Sequence, residues 1–516
     1  MKKQLLPLIL LGLTISASGC FQKYDPVDHS SEKSSITSNE HSSKESSNIQ
    51  SSSNKESSSS LSSSSISSSS KVSSNASSSM SFNHIHSFEE NIDDKFLAKP
   101  ASVYTKAIYH KSCACGLVSE DLMFEYGEPL SYEFVGEIET RNRDQILDPL
   151  GTSAMLLKMV IPSTFAAKRQ AFLYETEDLN KNRIILSGAI TLPYVGETLT
   201  TKGIVISSHP SFVDNDKEAV SLNWTQYCTT VVASNIVLEF DLLGYGETKD
   251  KIADYHCRHL SDKNTIDGVK CALKLLKDTY NYEKKDESIY LEGYSQGGYN
   301  TLSLLRYLEV EASEEDRKLL PITQAFAGSG AYDVGLLFQE SIFNNTCSKP
   351  EHLVEGLLSM YEYHRNEFNG LTLSDFLTPD GLRFAEVLKL KNEDALNEIL
   401  LEKDDEQEIK FRKISNIFTK KLLDKDPECM KVIENATKEE NLLDGNWIPT
   451  SSLYLYYTPN DEMVTPKCSL KAIELFKESI GQNITVKEDT NVEGHIEGGT
   501  QYYVNVVLTI FANSLL

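Results

Sequence analysis

The stretch Ser288-Ile289-Tyr290-Leu291-Glu292-Gly293-Tyr294-Ser295-Gln296-Gly297-Gly298 decides the fold. Its first half is a short, mostly apolar run, the pattern of a strand buried on both faces. Its second half sets a serine between two glycines, each two residues away, with a further glycine behind. Residues 298–308 then repeat apolar side chains at helical spacing. A strand, a tight turn carrying a serine, and a helix together present a hydroxyl on a strained corner, and the glycines relieve the crowding there. A bare Gly-x-Ser-x-Gly would arise by accident in roughly one chain of this composition in ten. Between a buried strand and a helix it becomes specific.

The same alternation extends to either side. Residues 169–176 and 183–192 read as paired strands around a turn at 178–182, and 203–207 as a buried strand. A helical stretch at 219–234 precedes another buried strand at 236–240. Strands at 288–292, 324–327, 452–457 and 483–488 follow, separated by helical patterns at 265–279, 298–308, 466–479 and 500–512. This predicts the α/β class, with a mainly parallel sheet flanked by helices. Between about 334 and 447 the alternation stops. That interval has dense charge and helical periodicity, as at Leu396, Ile399 and Leu400, and its charge reads as a solvated face. A helical insertion between two strands predicts a cap.

A serine hydroxyl is nearly inert until a base takes its proton, so a histidine and an orienting acid are expected. Asp461 follows the strand at 452–457, and His495 follows the strand at 483–488. Two other readings of the acid stay open: Asp461 as a cap for the helix at Thr465, and Asp333 as the acid in its place. His352 and His364 fall in the insertion. Asp254, His256, Cys257 and His259 crowd one loop and read as structural, so no metal or cofactor is expected.

With these three residues in this order, residues from about 165 to 516 resemble the α/β-hydrolases, nearest to secreted lipases and carboxylesterases with a helical cap. Phe240-Asp241-Leu242-Leu243-Gly244-Tyr245-Gly246 is similar to that group's turn after its fourth strand. The resemblance implies that Ser295 attacks, His495 serves as base and then acid, and Asp461 orients it. It gives one oxyanion N–H to Gln296. The loop that usually reads His-Gly is His209-Pro210-Ser211-Phe212 here. Pro210 has no N–H, so Ser211 or Phe212 must supply the second donor. The implied substrate is a small-molecule, lipid or carbohydrate ester. Exopeptidases of the same order and a non-catalytic surface adhesin are the competing readings.

The rest of the chain concerns where it works. Of 516 residues, 50 are Lys or Arg and 75 are Asp or Glu, a net charge of −25 that excludes a nucleic-acid partner. Lys2 and Lys3 precede an apolar run at 5–15, then Ala17-Ser18-Gly19-Cys20. Residues 1–19 resemble a bacterial lipoprotein signal, with Ala17 where Leu is usual. This implies lipidation at Cys20 and a membrane-anchored, extracytoplasmic protein. Residues 20–82 are expected to be a disordered spacer, since 28 of the 50 residues from 31 to 80 are Ser.

Residues 83–134 carry His86-Ser87-Phe88, Cys113-Ala114-Cys115-Gly116 and Phe124-Glu125-Tyr126-Gly127. They resemble small β-rich modules of Gram-positive surface proteins, which carry a further cysteine near Val103. A zinc or disulfide knuckle lacking one member and a plain strand pair are the two readings of this segment. The hydrolase domain is placed at 135–516. After Cys20 come Cys113, Cys115, Cys228, Cys257, Cys271, Cys347, Cys429 and Cys468, which allow 105 pairings or none.

Overall fold

The computed structural model describes residues 85–212, 215–344, 349–404 and 407–513. The expected signal sequence, Cys20, the serine-rich spacer and Cys347 lie outside them. No helix among the described residues is long and apolar enough to cross a membrane.

Three antiparallel strands form a small N-terminal sheet: β1 (Leu97–Lys99), β2 (Ala107–Ser112) and β3 (Val118–Tyr126). The chain then enters a ten-stranded sheet. Its strands are β4 (Tyr132–Asn142), β5 (Phe165–Glu177), β6 (Arg183–Val195), β7 (Thr198–Leu199), β8 (Gly203–Ser208), β9 (Asn235–Phe240), β10 (Ser288–Tyr294), β11 (Gln324–Gly328), β12 (Ser452–Tyr457) and β13 (Ile484–Glu488). The order is β13-β12-β11-β10-β8-β9-β6-β5-β4, with β7 beside β6. β8 to β13 are parallel, and β4, β5 and β6 complete the sheet antiparallel. Strand β4 runs across the boundary expected at residue 134.

The parallel strands read as continuous apolar runs because both of their faces are covered. Ile204, Ile206, Leu238, Leu291, Ala327 and Leu455 point into one apolar cluster. Their neighbours Val205, Val237, Tyr290, Phe326 and Tyr456 point into a second on the opposite face. This is the period-two alternation of a strand. The first face is covered by α1 (Arg258–Tyr280) and α2 (Gln296–Val310), and the second by the long C-terminal helix Gly494–Asn513.

The turn between β5 and β6 is closed by Asp178. Its carboxylate accepts from the Asn180 and Asn182 N–H groups, at 2.8 and 2.9 Å, and Lys181 takes a positive φ. The expected helix at 219–234 is not formed. The carboxylate of Asp241 takes the N–H groups of Val220 and Ser221, at 2.8 and 3.1 Å, and the chain makes a single turn there, with Leu222 and Asn223 N–H both bonding the Ala219 carbonyl. Extended backbone at Thr225, ψ 165°, then interrupts the run. Only a 3-10 segment, Gln226–Ala233, follows, opened by the Thr225 side chain.

Between β11 and β12 the insertion is helical, including α3 (Val334–Phe343), α4 (Pro350–Tyr363) and α5 (Pro427–Lys438). Its ends meet, since Leu442 N–H donates to the Tyr332 carbonyl at 3.0 Å. Its apolar residues, among them Phe338, Leu353, Phe384, Phe411 and Ile433, belong to the same cluster as the sheet residues beneath. After β12, α6 (Pro466–Leu475) leads to β13, and α7 (Gly494–Asn513) ends the described chain.

Candidate active site

Ser295 stands between β10 and α2 with φ 60° and ψ −122°, a conformation side chains rarely adopt. Several contacts over-determine it. Ser295 N–H donates to the Gly328 carbonyl at the end of β11, at 2.9 Å. A Cβ on Gly293 would lie 2.3 Å from the Gly297 carbonyl oxygen. One on Gly297 would lie 2.1 Å from the Ser208 oxygen, and one on Gly298 2.1 Å from the Gly328 oxygen. The glycines are there because neighbouring backbone fills the space their side chains would need.

His495 Nδ1 lies 2.7 Å from Asp461 Oδ2, and both side chains are buried. The other oxygen of Asp461 accepts from Met463 N–H at 3.0 Å and Val464 N–H at 2.8 Å. These bonds fix the carboxylate's orientation. Asp461 is therefore engaged with the histidine as well as with its own turn. Asp333, the rival acid, is committed elsewhere: it accepts from Leu336 N–H at 2.9 Å to cap α3 and pairs with Lys471.

Two neighbours that the sequence did not flag hold the backbone of His495. The Tyr294 hydroxyl donates to the His495 carbonyl at 2.8 Å, and the two rings lie 4.8 Å apart. The Tyr294 hydroxyl is thereby tied to the histidine's backbone, joining the serine's turn to the start of α7. Glu462 Oε2 accepts the His495 N–H at 2.9 Å, and a Cβ on Gly494 would lie 2.5 Å from that oxygen. Adjacency to Asp461 and to Ser295 was the only signal for either residue.

Gln296 is the first residue of α2, where N–H groups have no partner within the helix. Its side-chain amide is buried without a hydrogen-bond partner. The loop after β8 presses against this corner through the Ser208 and His209 carbonyls. Burial lowers the pKa of His209, favouring the neutral ring, whose Nδ1 meets the Pro210 carbonyl at 2.7 Å. Phe212 packs on Tyr245 with ring centroids 4.5 Å apart, while Ser211 Oγ lies 3.5 Å from Nδ1 of His352 on the cap. His352 thus faces the loop expected to bear the second donor.

The cap closes over the serine. Ser295, Tyr255, Leu337, Phe338, His352, Leu353, Met463 and Val464 enclose a cavity with about 10 Å³ of free space, room for roughly one water. Beside His352, Glu355 accepts from Tyr245 OH at 3.0 Å and from Lys391 at 2.8 Å. The ammonium of Lys391 holds this buried carboxyl down at about 2.

In the loop read as structural, burial pushes Asp254 up to about 8 and His256 down to about 3. His259 lies apart, half exposed, toward Glu311. Donor atoms of Cys257, His364 and Glu440 lie within 4.8 Å of one another; Glu440 Oε1 lies 3.1 Å from His364 Nε2, while its Oε2 accepts from Arg258 N–H and Tyr299 OH. Donor atoms of His86, Cys113 and Cys115 converge as closely. Cys228, Cys257, Cys271, Cys429 and Cys468 are free, buried thiols.

A parallel sheet, a serine on the strained corner after β10, and an acid and histidine beyond β12 and β13 fix the topology. The fold is that of the α/β-hydrolases. No protein-family model matches the sequence, and no curated protein matches it either. Solved structures do share this α/β-hydrolase fold. A candidate hydrolase from Legionella pneumophila superposes with a TM-score of 0.61 at 18% identity, covering 75% of this chain and 97% of its own. The rice cell wall degrading esterase LipA from Xanthomonas oryzae superposes with a TM-score of 0.57 at 18% identity, covering 74% and 96%.

Proposed function

We propose that the protein is a serine hydrolase that cleaves carboxylic esters through an acyl-enzyme on Ser295. The observation that carries this reading is the buried 2.7 Å His495–Asp461 bond set beside the strained serine corner. In the proposed cycle His495 takes the Ser295 proton as the hydroxyl attacks, then returns it to the leaving alcohol. Asp461 holds the ring so that Nδ1 carries the hydrogen and stabilises the imidazolium. The Gln296 N–H and an N–H of Ser211 or Phe212 receive the developing oxyanion. A water repeats the sequence in reverse to free the acid.

An ester rather than a peptide is favoured by the likeness in fold to the LipA esterase, an argument from analogy. The closed cavity supports a cycle in which the cap shifts before substrate enters. Lipid at Cys20 and the serine-rich spacer would hold the enzyme at the outer membrane face of the cell, clear of the lipid surface.

A fluorophosphonate probe with an ester panel tests the chemistry. We expect labelling at Ser295 alone, hydrolysis of aryl esters over aminoacyl amides, and loss of both labelling and turnover in Ser295→Ala. Faster amide cleavage would indicate the exopeptidase reading, and an unlabelled, inert protein the adhesin reading. Cys20→Ala should move the protein from the membrane fraction to the soluble one; retention in the membrane would contradict lipidation.

A further inference from the structure

The N-terminal module presents a physical problem. In the described residues before β4, from 85 to 131, the buried apolar side chains are Phe96, Val103 and Cys113. Val103 does not serve the module's interior. It packs outward on Leu173 and Ile185 of the large sheet, and Arg183 bonds its carbonyl at 2.9 Å. Meanwhile Leu117, Leu122, Met123 and Tyr126 are about half exposed. A segment of this size with so small a core needs a staple, for which a metal or a disulfide is the usual solution.

Three donors converge where such a staple would act. Cys113 and Cys115 lie on the turn joining β2 to β3. Cys113 N–H bonds the Leu117 carbonyl and Gly116 N–H the Cys113 carbonyl, each at 2.8 Å, with Gly116 at φ 88°. The preceding chain is laid beside this turn by a two-bond bridge between Glu89 and Ser112, at 3.0 and 2.9 Å. Three residues upstream, that bridge delivers His86, whose Nδ1 lies 3.4 Å from Cys115 Sγ. One donor atom from each of His86, Cys113 and Cys115 falls within 4.8 Å of the others.

We propose that His86, Cys113 and Cys115 form a zinc site that staples the N-terminal module. Two sulfurs and one imidazole select a borderline-soft divalent ion over magnesium or calcium. On binding, each thiol releases its proton and the neutral imidazole offers a lone pair, so two protons leave per ion and affinity falls as pH falls. The fourth tetrahedral position is left to water. His86 and Cys115 are exposed, so the ion is open to exchange.

The full chain, reduced and stripped with a chelator, is titrated with Co²⁺ and then Zn²⁺. The expected result is one Co²⁺ per chain with a thiolate-to-cobalt absorption band that Zn²⁺ abolishes. Cys115→Ser and His86→Ala should each weaken binding at least tenfold while leaving the main thermal transition in place. Amide exchange in β2 and β3 should slow with zinc in the native chain and not in Cys115→Ser. No absorption band, or a band unchanged in Cys115→Ser, would overturn the proposal.

Discussion

Ser295 is held at φ 60° by its neighbours, and strain of this kind costs of order 1–3 kcal/mol. The surrounding bonds to Gly328, and the glycines at 293, 297 and 298, make the corner the only arrangement the local packing admits. The two candidate acids also differ at this scale. Asp461 meets His495 Nδ1, whereas Asp333 spends its oxygens on a helix N-terminus and Lys471. Asp461→Asn should therefore lower kcat by about 10³–10⁴-fold, because the wrong ring nitrogen would carry the hydrogen. Asp333→Ala should change kcat by less than about threefold while costing about 1 kcal/mol of stability through the loss of its helix cap. Steady-state rates and melting curves of the pair check this, and a reversed pattern would reassign the acid. Ser295→Ala and His495→Ala should each abolish turnover, with the double variant scarcely worse, since such residues act as one unit.

At the level of single elements, the central strands carry charge where an apolar pattern alone would not place it. Glu292 on β10 is buried across β8 from Glu239 on β9; Glu239 pairs with Arg169, while Glu292 accepts from the Thr230 hydroxyl at 2.8 Å and faces Ser207. Burial pushes Glu292 up to about 8 from an ordinary 4.5. With the folded value raised, the native state binds more protons than the unfolded chain between these two values. Its contribution to stability is then full below about pH 4.5 and is lost as pH rises through about 8. Glu292→Gln should accordingly raise the melting temperature more at about pH 9 than at about pH 5. Thermal melts at both values test this; equal shifts would mean that Glu292 is ionised throughout. The 3-10 segment at Gln226–Ala233 shows the opposite failing of pattern reading. There the apolar spacing fits a helix, but one turn at 219–223 ends at Thr225, whose extended backbone breaks the run.

Across the whole molecule, the cap and the sheet are not separable layers. One apolar cluster runs from Ile204 and Leu291 in the sheet to Phe384, Phe411 and Ile433 in the insertion. Cap and core should unfold together. Calorimetry should give a single transition, with amides of α4 exchanging no faster than those of β10 by more than about tenfold. Two transitions would show a cap that folds on its own. Substrate entry then depends on local movement around the serine cavity, whose ceiling includes Phe338. That ring packs against Gly356, where a Cβ would lie 2.9 Å from it. Phe338→Ala should cost about 3–5 kcal/mol of stability and shift the ester preference toward bulkier acyl groups by tenfold or more. An unchanged substrate profile in a folded variant would remove Phe338 from the substrate path.

By itself, the sequence determined the α/β alternation, the helical insertion, the serine corner and the positions of Asp461 and His495. Each is encoded locally, through apolar period, glycine spacing and position just beyond a strand, and local encoding survives without knowledge of the fold. What Asp461, Asp333 and His495 share in space lay beyond that reading, because hydrogen bonds across 34 positions leave no periodic trace. Tyr294, Glu462 and His352 acquired their places at the site only when β10, β12 and the cap were brought together. The same holds for Asp241, which bonds the backbone of Val220 and Ser221 about twenty residues away, and for His86, which reaches Cys113 and Cys115 through the Glu89–Ser112 bridge. Tertiary structure decided these because a side chain's partner depends on which backbone arrives beside it, and that is set by the packing of the whole sheet.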